Sequence, residues 1–446
     1  MNILISEDIP SHNKGEAALF YGLKESLSCF RKYKLSIFSI NPVIDAKNYI
    51  NDACVIDARG VTPAHMLDSQ GGTAWKLYNY IVFWVKLVCF FITYKLLGKR
   101  AFKIMTSPVW KAYVDADIIL ISHDSFFTPL YHGPQVLFLK GLKKSVFVYA
   151  GTIKPVNTNP RSIKRKLVDF FLGFALKRLS GITVREQLSA DYLASIGITS
   201  KDLPLEVYPD LAFILHPESD EAVDRIFKNE GLIINGNVVG MAFSQRKLDF
   251  AFSDQPGLQN RAEKALIPII DAVDYVTNEL DADVLFVAHS IGPTKILDDR
   301  VMADMIRAKA KSPERLFIMR GEYTPMELKA VAARLDMTVG TRLHFTIDAV
   351  CSGVPSLLIT QDGDLRCHGI VGDMLGQKDY VYNIDHITSE SLSHSIGKLW
   401  ENRVPVRAAL QAKVGEIKRD TYKNGEFVQK VVFGSSTSFS PKSFNA

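Results

Sequence analysis

Short runs of apolar residues alternate along this chain with segments whose apolar positions recur at helical spacing. Continuous apolar runs between polar turns suit strands covered on both faces, and the helical segments between them suit crossover connections, so the pattern predicts parallel sheets of α/β type. In the first half the predicted strands are Asn2 to Ser6, Leu35 to Ile40, Ala53 to Asp57, Asp117 to Ser122, Ser145 to Ala150 and Gly181 to Val184, followed by a helix from Glu186 to Ile196. The opening run has no basic stretch before it and turns acidic at Glu7-Asp8, so it reads as a first strand and not as a signal peptide. Pro209 to Phe213 closes this half, and a charged connector, Pro217 to Asn237, leads on through the turn signal Asn235-Gly236-Asn237.

The pattern then restarts. Strands are predicted at Val238 to Phe243, Val284 to Ala288, Leu316 to Met319, Met337 to Val339 and Ser356 to Ile359. Helices fall at Asn260 to Leu280, Arg300 to Ala310, Pro325 to Arg334 and Phe345 to Cys351, with a terminal helix from Val404 to Phe427. With 446 residues, 47% of them hydrophobic, the chain is long enough for two cores. The expected organisation is an N-terminal Rossmann-like domain over 1–216, a second over 237–403, a terminal helix over 404–432 and a Ser-rich disordered tail over 433–446. In open α/β sheets of this kind, ligands bind at the carboxyl ends of the strands.

One segment departs from the alternation. Leu77 to Leu97 is almost wholly apolar, long enough for a membrane span and flanked by Lys76, Lys99 and Arg100. Lys86 sits at its centre, where a charge costs roughly 2.5 to 3.5 kcal/mol on insertion scales. Asn79, Lys86, Thr93 and Arg100 recur every seven residues and give a helix a narrow polar stripe. Three readings stay open: a helix lying on a membrane or covering a lipid-bearing substrate, a helix buried in the domain or a dimer interface, and a true span.

Charge sharpens the first of these. The net charge is +5, but Lys86 to Arg185 holds 17 Lys/Arg against four Asp/Glu, a local +13 that leaves −8 for the rest. Such a field draws an anionic substrate or membrane surface toward one half of the molecule. No nucleic-acid motif accompanies it, and no nucleic-acid partner is expected. The five cysteines form no CxxC pair and no zinc spacing, which points to a reduced cytosolic setting and no structural metal.

The chemistry-bearing signal lies at Gly340-Thr341-Arg342-Leu343-His344, where an apolar strand runs through a turn into a helix. Unpaired N–H groups and the macrodipole make a helix start favourable to anions. Arg342 adds a fixed cation and His344 a proton donor, and both reach one ligand if the backbone stays extended until after His344. A phosphorylated small molecule whose reaction needs a proton is the simplest ligand. A surface ion pair for Arg342 and a structural role for His344 are the plain alternatives.

In order along the chain, Asn13-Lys14-Gly15-Glu16-Ala17-Ala18, Arg185-Glu186-Gln187-Leu188-Ser189 and Pro209-Asp210-Leu211-Ala212-Phe213 precede Ser244-Gln245-Arg246, Ala288-His289 with Asp298-Asp299, Glu322-Tyr323 with Glu327-Leu328, and the Arg342/His344 turn. This series resembles the polysaccharide pyruvyl transferases over about residues 1 to 380. The resemblance implies two Rossmann-like domains in a glycosyltransferase-B-type arrangement with parallel sheets, and transfer of a pyruvyl group from phosphoenolpyruvate to sugar hydroxyls as a ketal. No cofactor is implied beyond phosphoenolpyruvate as donor substrate. Two departures bear on the acceptor: Ser122-His123-Asp124-Ser125 stands where the family has a glycine cluster, and the Leu77 to Leu97 segment is more apolar than expected.

The resemblance also implies roles. Arg342 grips the donor, Leu343 offers it a backbone contact and His344 acts as acid and then base, a task imidazole suits. Arg185 binds the donor's other anionic group; the alternative is an ion pair on a solvated helix. Asn13, Gly15 and Glu16 position sugar hydroxyls or simply form a turn. Asp210 and His289 contribute to substrate binding, or are a capping Asp and a buried His. The expected partners are phosphoenolpyruvate and a saccharide, lipid-linked in one reading, with work done in the cytoplasm at the inner face of the membrane. Two other classes remain: a nucleotide-sugar-dependent glycosyltransferase of the same architecture, and a membrane-surface scaffold without catalysis.

Overall fold

Each predicted apolar run becomes a strand, and where the two faces are both covered the residues are buried without alternation, as in Ile118–Ile121. The computed structural model describes residues 1–59, 61, 73–121, 129–156, 161–233, 236–253, 255 and 257–434. The predicted tail beyond 434, Ser122 to Ser125 and Asn235 lie outside them.

The chain divides into two units. The first comprises Met1–Pro10, Leu23–Tyr208 and the segment from Tyr422 onward; the second comprises Ser11–Gly22 and Pro209–Thr421. The first holds a seven-stranded sheet built from β1 (Asn2–Asp8), β2 (Lys34–Ser39), β3 (Cys54–Asp57), β4 (Ile118–Ile121), β5 (Ser145–Gly151), β6 (Gly181–Val184) and β7 (Leu205–Val207). Its order is β3-β2-β1-β4-β5-β6-β7, with all neighbours parallel. The second holds β8 (Val238–Ala242), β9 (Asp283–Phe286), β10 (Leu316–Ile318), β11 (Met337–Gly340), β12 (Ser356–Thr360) and β13 (Val381–Asn383), in the parallel order β10-β9-β8-β11-β12-β13. Both orders are Rossmann-like. The first strand of each unit is central, and the direction of winding reverses beside it, which opens a crevice at the carboxyl ends.

The domain limits read from sequence need correction. Ser11–Gly22 belongs with the second unit because its backbone is tied there: Lys14 N donates to the carbonyl of His289 at 2.8 Å, and Asn13 forms a bridge with Ser290. The long terminal helix Arg403–Phe433 ends in the first unit, where Tyr422 Oη donates to Glu25 at 3.2 Å and Gln429 Nε2 to the carbonyl of Cys29 at 2.9 Å. The charged connector holds a helix, Asp220–Glu230, capped by Ser219 and stopped at Gly231 with φ 65°. Its buried Ala222, Val223 and Ile226 form one stripe too narrow to stand out among the charges. β7 and β13 were not predicted; each has three residues and no fully buried one.

In the first unit the helix Thr73–Leu97 buries Phe83, Leu87 and Phe90 in the core, where Phe90 stacks on Trp110 with centroids 4.6 Å apart. Its opposite face stays exposed. Among the described residues, Leu77–Lys103 is the one helical stretch long and apolar enough to cross a membrane. The core of the second unit lies on both faces of its sheet, one led by Ile269, Val273 and Ile396, the other by Val331, Phe345 and Ala349.

Candidate active site

At the switch point of the second sheet, β8 and β11 run so close that a Cβ on Gly340 would lie 2.3 Å from the carbonyl oxygen of Ala242. Glycine is required there for that reason. Thr341 continues the tie: its N–H donates to Ala242 O and its Oγ1 accepts from Ser244 N, both at 2.9 Å. Arg342 is then the N-cap residue of the helix Leu343–Val350, and no side chain caps this helix start. Its positive end is left to whatever anion reaches it.

The helix therefore begins earlier than the extended geometry required. His344 is in its first turn, so it does not share a face with Arg342 by strand alternation. Both are close enough to His289 to add to the cost of charging its imidazole.

Arg342 is held by Asp299, which takes Nε at 3.1 Å and also receives Nη2. The same carboxylate accepts from the backbone N–H of His289 at 3.1 Å and of Ser290 at 3.0 Å. The loop after β9 is thus pinned to the loop after β11 through one buried acid. Burial pushes that carboxyl above the usual range, while Arg342 and the two amides pull against it. Among the described residues Nη1 of Arg342 takes no partner, and a fifth of the side chain is exposed.

His344 is buried against the segment from the chain's start. A Cβ on Gly15 would fall 2.5 Å from its Nδ1, so the glycine of the Asn13 motif is the seat of the imidazole. Its Nε2 stands 3.9 Å from Asp210 Oδ2, too long for a hydrogen bond, and has no other partner among the described residues. Asp210 also caps the turn Leu211–Ile214 by accepting from Ala212 N at 2.9 Å. The capping reading of Asp210 holds, and the same carboxyl faces the imidazole.

His289 is the buried histidine the plain alternative described, but its neighbour is not plain. Its Nε2 lies 3.5 Å from Oδ2 of Asp348, which is four residues beyond His344 on the same helix. Neither ring nitrogen and neither carboxylate oxygen has a hydrogen-bond partner among the described residues. Burial, then Arg342, His344 and Lys14, hold His289 well below its ordinary value. Burial pushes Asp348 up to about 7, with Lys329 pulling down and Asp210 adding to the rise. Both shifts favour a neutral pair. Lys329, itself fully buried, donates to the carbonyl of Ala212 at 2.8 Å, and Lys14 pairs with Glu322 at 2.9 Å.

The structure brings Asn13, Gly15, Glu16, Asp210, His289, Arg342, Leu343 and His344 into one unit. Asn13 Nδ2 donates to Glu16 Oε1 at 2.7 Å, a bond within the helix start that orients both. Leu343 is the buried first residue of its helix. Arg185 belongs to the first unit, at the end of β6. It is wholly buried, donates through Nε to Thr152 Oγ1 at 2.9 Å and lies 3.8 Å from Glu186, so an ion pair on a solvated helix is not its role. Sequence reasoning passed over Asp348 and Lys329. The available signal was one acid inside the otherwise uncharged run Phe345 to Cys351, at helical spacing from His344.

Residues 13–363 match the polysaccharide pyruvyl transferase family, a span that takes in every one of these residues. The chain belongs to that family. A polysaccharide pyruvyl transferase is a transferase of polysaccharide biosynthesis, with a saccharide substrate. The amylovoran biosynthesis protein AmsJ of Erwinia amylovora is 22% identical over 423 residues, covering 90% of this chain and 92% of that protein. Among solved structures, UDP-GlcNAc 2-epimerase of Neisseria meningitidis aligns with a TM-score of 0.57 at 11% identity, over 97% of this chain and 98% of that one. A glycosyltransferase of Rickettsia africae aligns with a TM-score of 0.55 at 12% identity, over 97% and 99%. At such identities the likeness shows the fold alone, that of the glycosyltransferase-B class.

Proposed function

We propose that this pyruvyl transferase takes phosphoenolpyruvate as donor and forms a pyruvate ketal on two hydroxyls of a saccharide, lipid-linked and met at the cytoplasmic face of a membrane. The observation that carries the reading is the imidazole of His344, seated on Gly15 in the first turn of an uncapped helix, with Arg342 fixed beside it by Asp299. The donor carries a carboxylate and a phosphate. Nη1 of Arg342 and the helix start are suited to hold one of them.

His344 gives a proton to the donor's methylene carbon, and the first sugar hydroxyl bonds to the neighbouring carbon. That hydroxyl's proton replaces the one the imidazole gave. The second hydroxyl then bonds to the same carbon as its bond to the phosphate oxygen breaks, and its proton leaves with phosphate. The buried Asp348 and His289 lie behind this surface, without a charge to compete for the donor while both are neutral.

Two measurements test this. Thermal stabilisation by phosphoenolpyruvate is expected; stabilisation by uridine nucleotides and none by phosphoenolpyruvate overturns the donor assignment and favours a nucleotide-sugar enzyme. Phosphate release from phosphoenolpyruvate with a panel of glycans is expected to fall on the order of a hundredfold or more in His344→Ala. Equal release from both proteins removes His344 from the chemistry.

A further inference from the structure

The first unit carries an apolar surface that neither its core nor the transferase reading uses. The helix Thr73–Leu97 is docked by Phe83, Leu87 and Phe90, yet Ile81, Val85, Val88, Ile92 and Leu96 on its other side are between 49% and 78% exposed. Their spacing of three and four residues makes one continuous stripe. At the start of the same helix, Trp75 and Tyr78 stack on each other with centroids 5.6 Å apart while both stay more than half exposed.

A second helix repeats the arrangement. Ile163–Leu176 buries Leu172, Ala175 and Leu176 and exposes Ile163, Leu167 and Phe170 at 77%, 62% and 71%. Both helices pack on the helix Pro129–Gly141. A Cβ on Gly141 would lie 2.7 Å from the ring of Phe91, and one on Gly133 would lie 3.7 Å from Ala175. Two apolar faces on neighbouring helices of one layer exceed what scattered surface side chains explain.

Charge identifies the occupant. Residues 73–103 contain six Lys/Arg and no Asp or Glu; residues 161–178 contain six Lys/Arg and the single acid Asp169. Asp169 is already bound by Arg165 at 2.7 Å and by Tyr192 at 2.7 Å. Apolar stripes edged by cations and nearly free of acids match an anionic bilayer, whose interface accepts side chains to a shallow depth and attracts the cations around them. A second copy of this chain would bring two strongly positive faces together, which repels.

We infer that the exposed faces of Thr73–Leu97 and Ile163–Leu176 together form a docking surface for an anionic lipid bilayer. The chain then lies on the membrane through two helices, with Phe83, Leu87 and Phe90 kept in its own core. This stands on the first unit's surface and does not depend on the donor.

The test uses the full chain with phosphatidylcholine vesicles, with and without phosphatidylglycerol, the bound fraction being read by co-sedimentation. Binding is expected only with phosphatidylglycerol and is expected to weaken as salt is raised. The pairs Val85→Ser/Ile92→Ser and Leu167→Ser/Phe170→Ser are each expected to lower the partition coefficient by about tenfold or more, with melting temperatures unchanged because the side chains are exposed. Lys164→Glu/Lys166→Glu, which leaves every apolar side chain in place, is expected to weaken binding as well. The proposal is overturned if the wild type ignores phosphatidylglycerol vesicles or binds phosphatidylcholine equally, or if both apolar pairs bind like the wild type. It is also overturned if the wild type is a dimer that these substitutions dissociate.

Discussion

Replacing Asp348 by Asn tests the electrostatics beneath the site. In the folded protein burial raises this carboxyl from 3.8 to about 7. An acid whose folded value lies above its unfolded value contributes stability that is complete below the unfolded value and is lost as pH rises through the folded one. The gap amounts to about 4 kcal/mol, absent at about pH 4 and fully developed above about pH 7. His289 works in the opposite sense: its value is depressed well below 6.5, so its contribution is present above that pH and lost as pH falls. Across the acidic range the two slopes oppose each other in the wild type.

Asp348→Asn removes one slope and leaves the other. The variant is expected to gain on the wild type with rising pH, reaching about 4 kcal/mol, or on the order of 10 °C in melting temperature, on the alkaline side. The amide has the size of the acid and the same lack of hydrogen-bond partners, so that cost cancels in the pH dependence. Trp75, Trp84 and Trp110 belong to the first unit and Trp400 to the second. With fluorotryptophan incorporated, the Trp400 resonance therefore reports the unfolding of the unit that holds Asp348. Parallel pH profiles for the two proteins would refute the reasoning, because they would show that Asp348 does not change its proton affinity on folding.

Gly15→Ala places a methyl group 2.5 Å from Nδ1 of His344, and is expected to cost about 1 to 3 kcal/mol and to lower phosphate release by displacing the imidazole. A melting curve beside the release assay separates the two effects. Asp299→Ala leaves the Arg342 guanidinium and two buried amides without their acceptor, for an expected loss of about 3 kcal/mol measured by urea unfolding of the second unit. Lys329→Met removes a cation that pulls Asp348 down, so the gap between wild-type and Asp348→Asn stabilities, which still opens near the unfolded carboxyl value, is expected to keep widening to a higher pH in the Lys329→Met background. A plateau reached at the same or a lower pH counts against the placement of that charge.

Much of the architecture was legible because the signals for it are local. Strands such as Val238–Ala242 are buried at every position, and a continuous apolar run announces that without reference to any partner. The elements that escaped are those whose sequence carries little of their own burial. β7 and β13 are three-residue strands without a fully buried position, and Asp220–Glu230 hides three apolar residues among charges. The start of the helix Leu343–Val350 was misplaced because no capping side chain marks it.

The candidate site divides along the same line. Residue types and their order placed Arg342, His344, Gly15 and Asp210 on one list from the sequence alone, since guanidinium, imidazole and a close-approach glycine have chemistry that travels with the residue. What the list meant came from packing. Only the fold shows that Gly15 is the seat of His344, that Asp299 holds Arg342, and that Ser11–Gly22 belongs with the second unit. The protonation of Asp348 and His289 is likewise a tertiary property, because it depends on how completely water is removed and on which charges are folded nearby. Apolar period is set within a few residues along the chain, whereas desolvation is set by everything packed around a group, and no local stretch of sequence contains that.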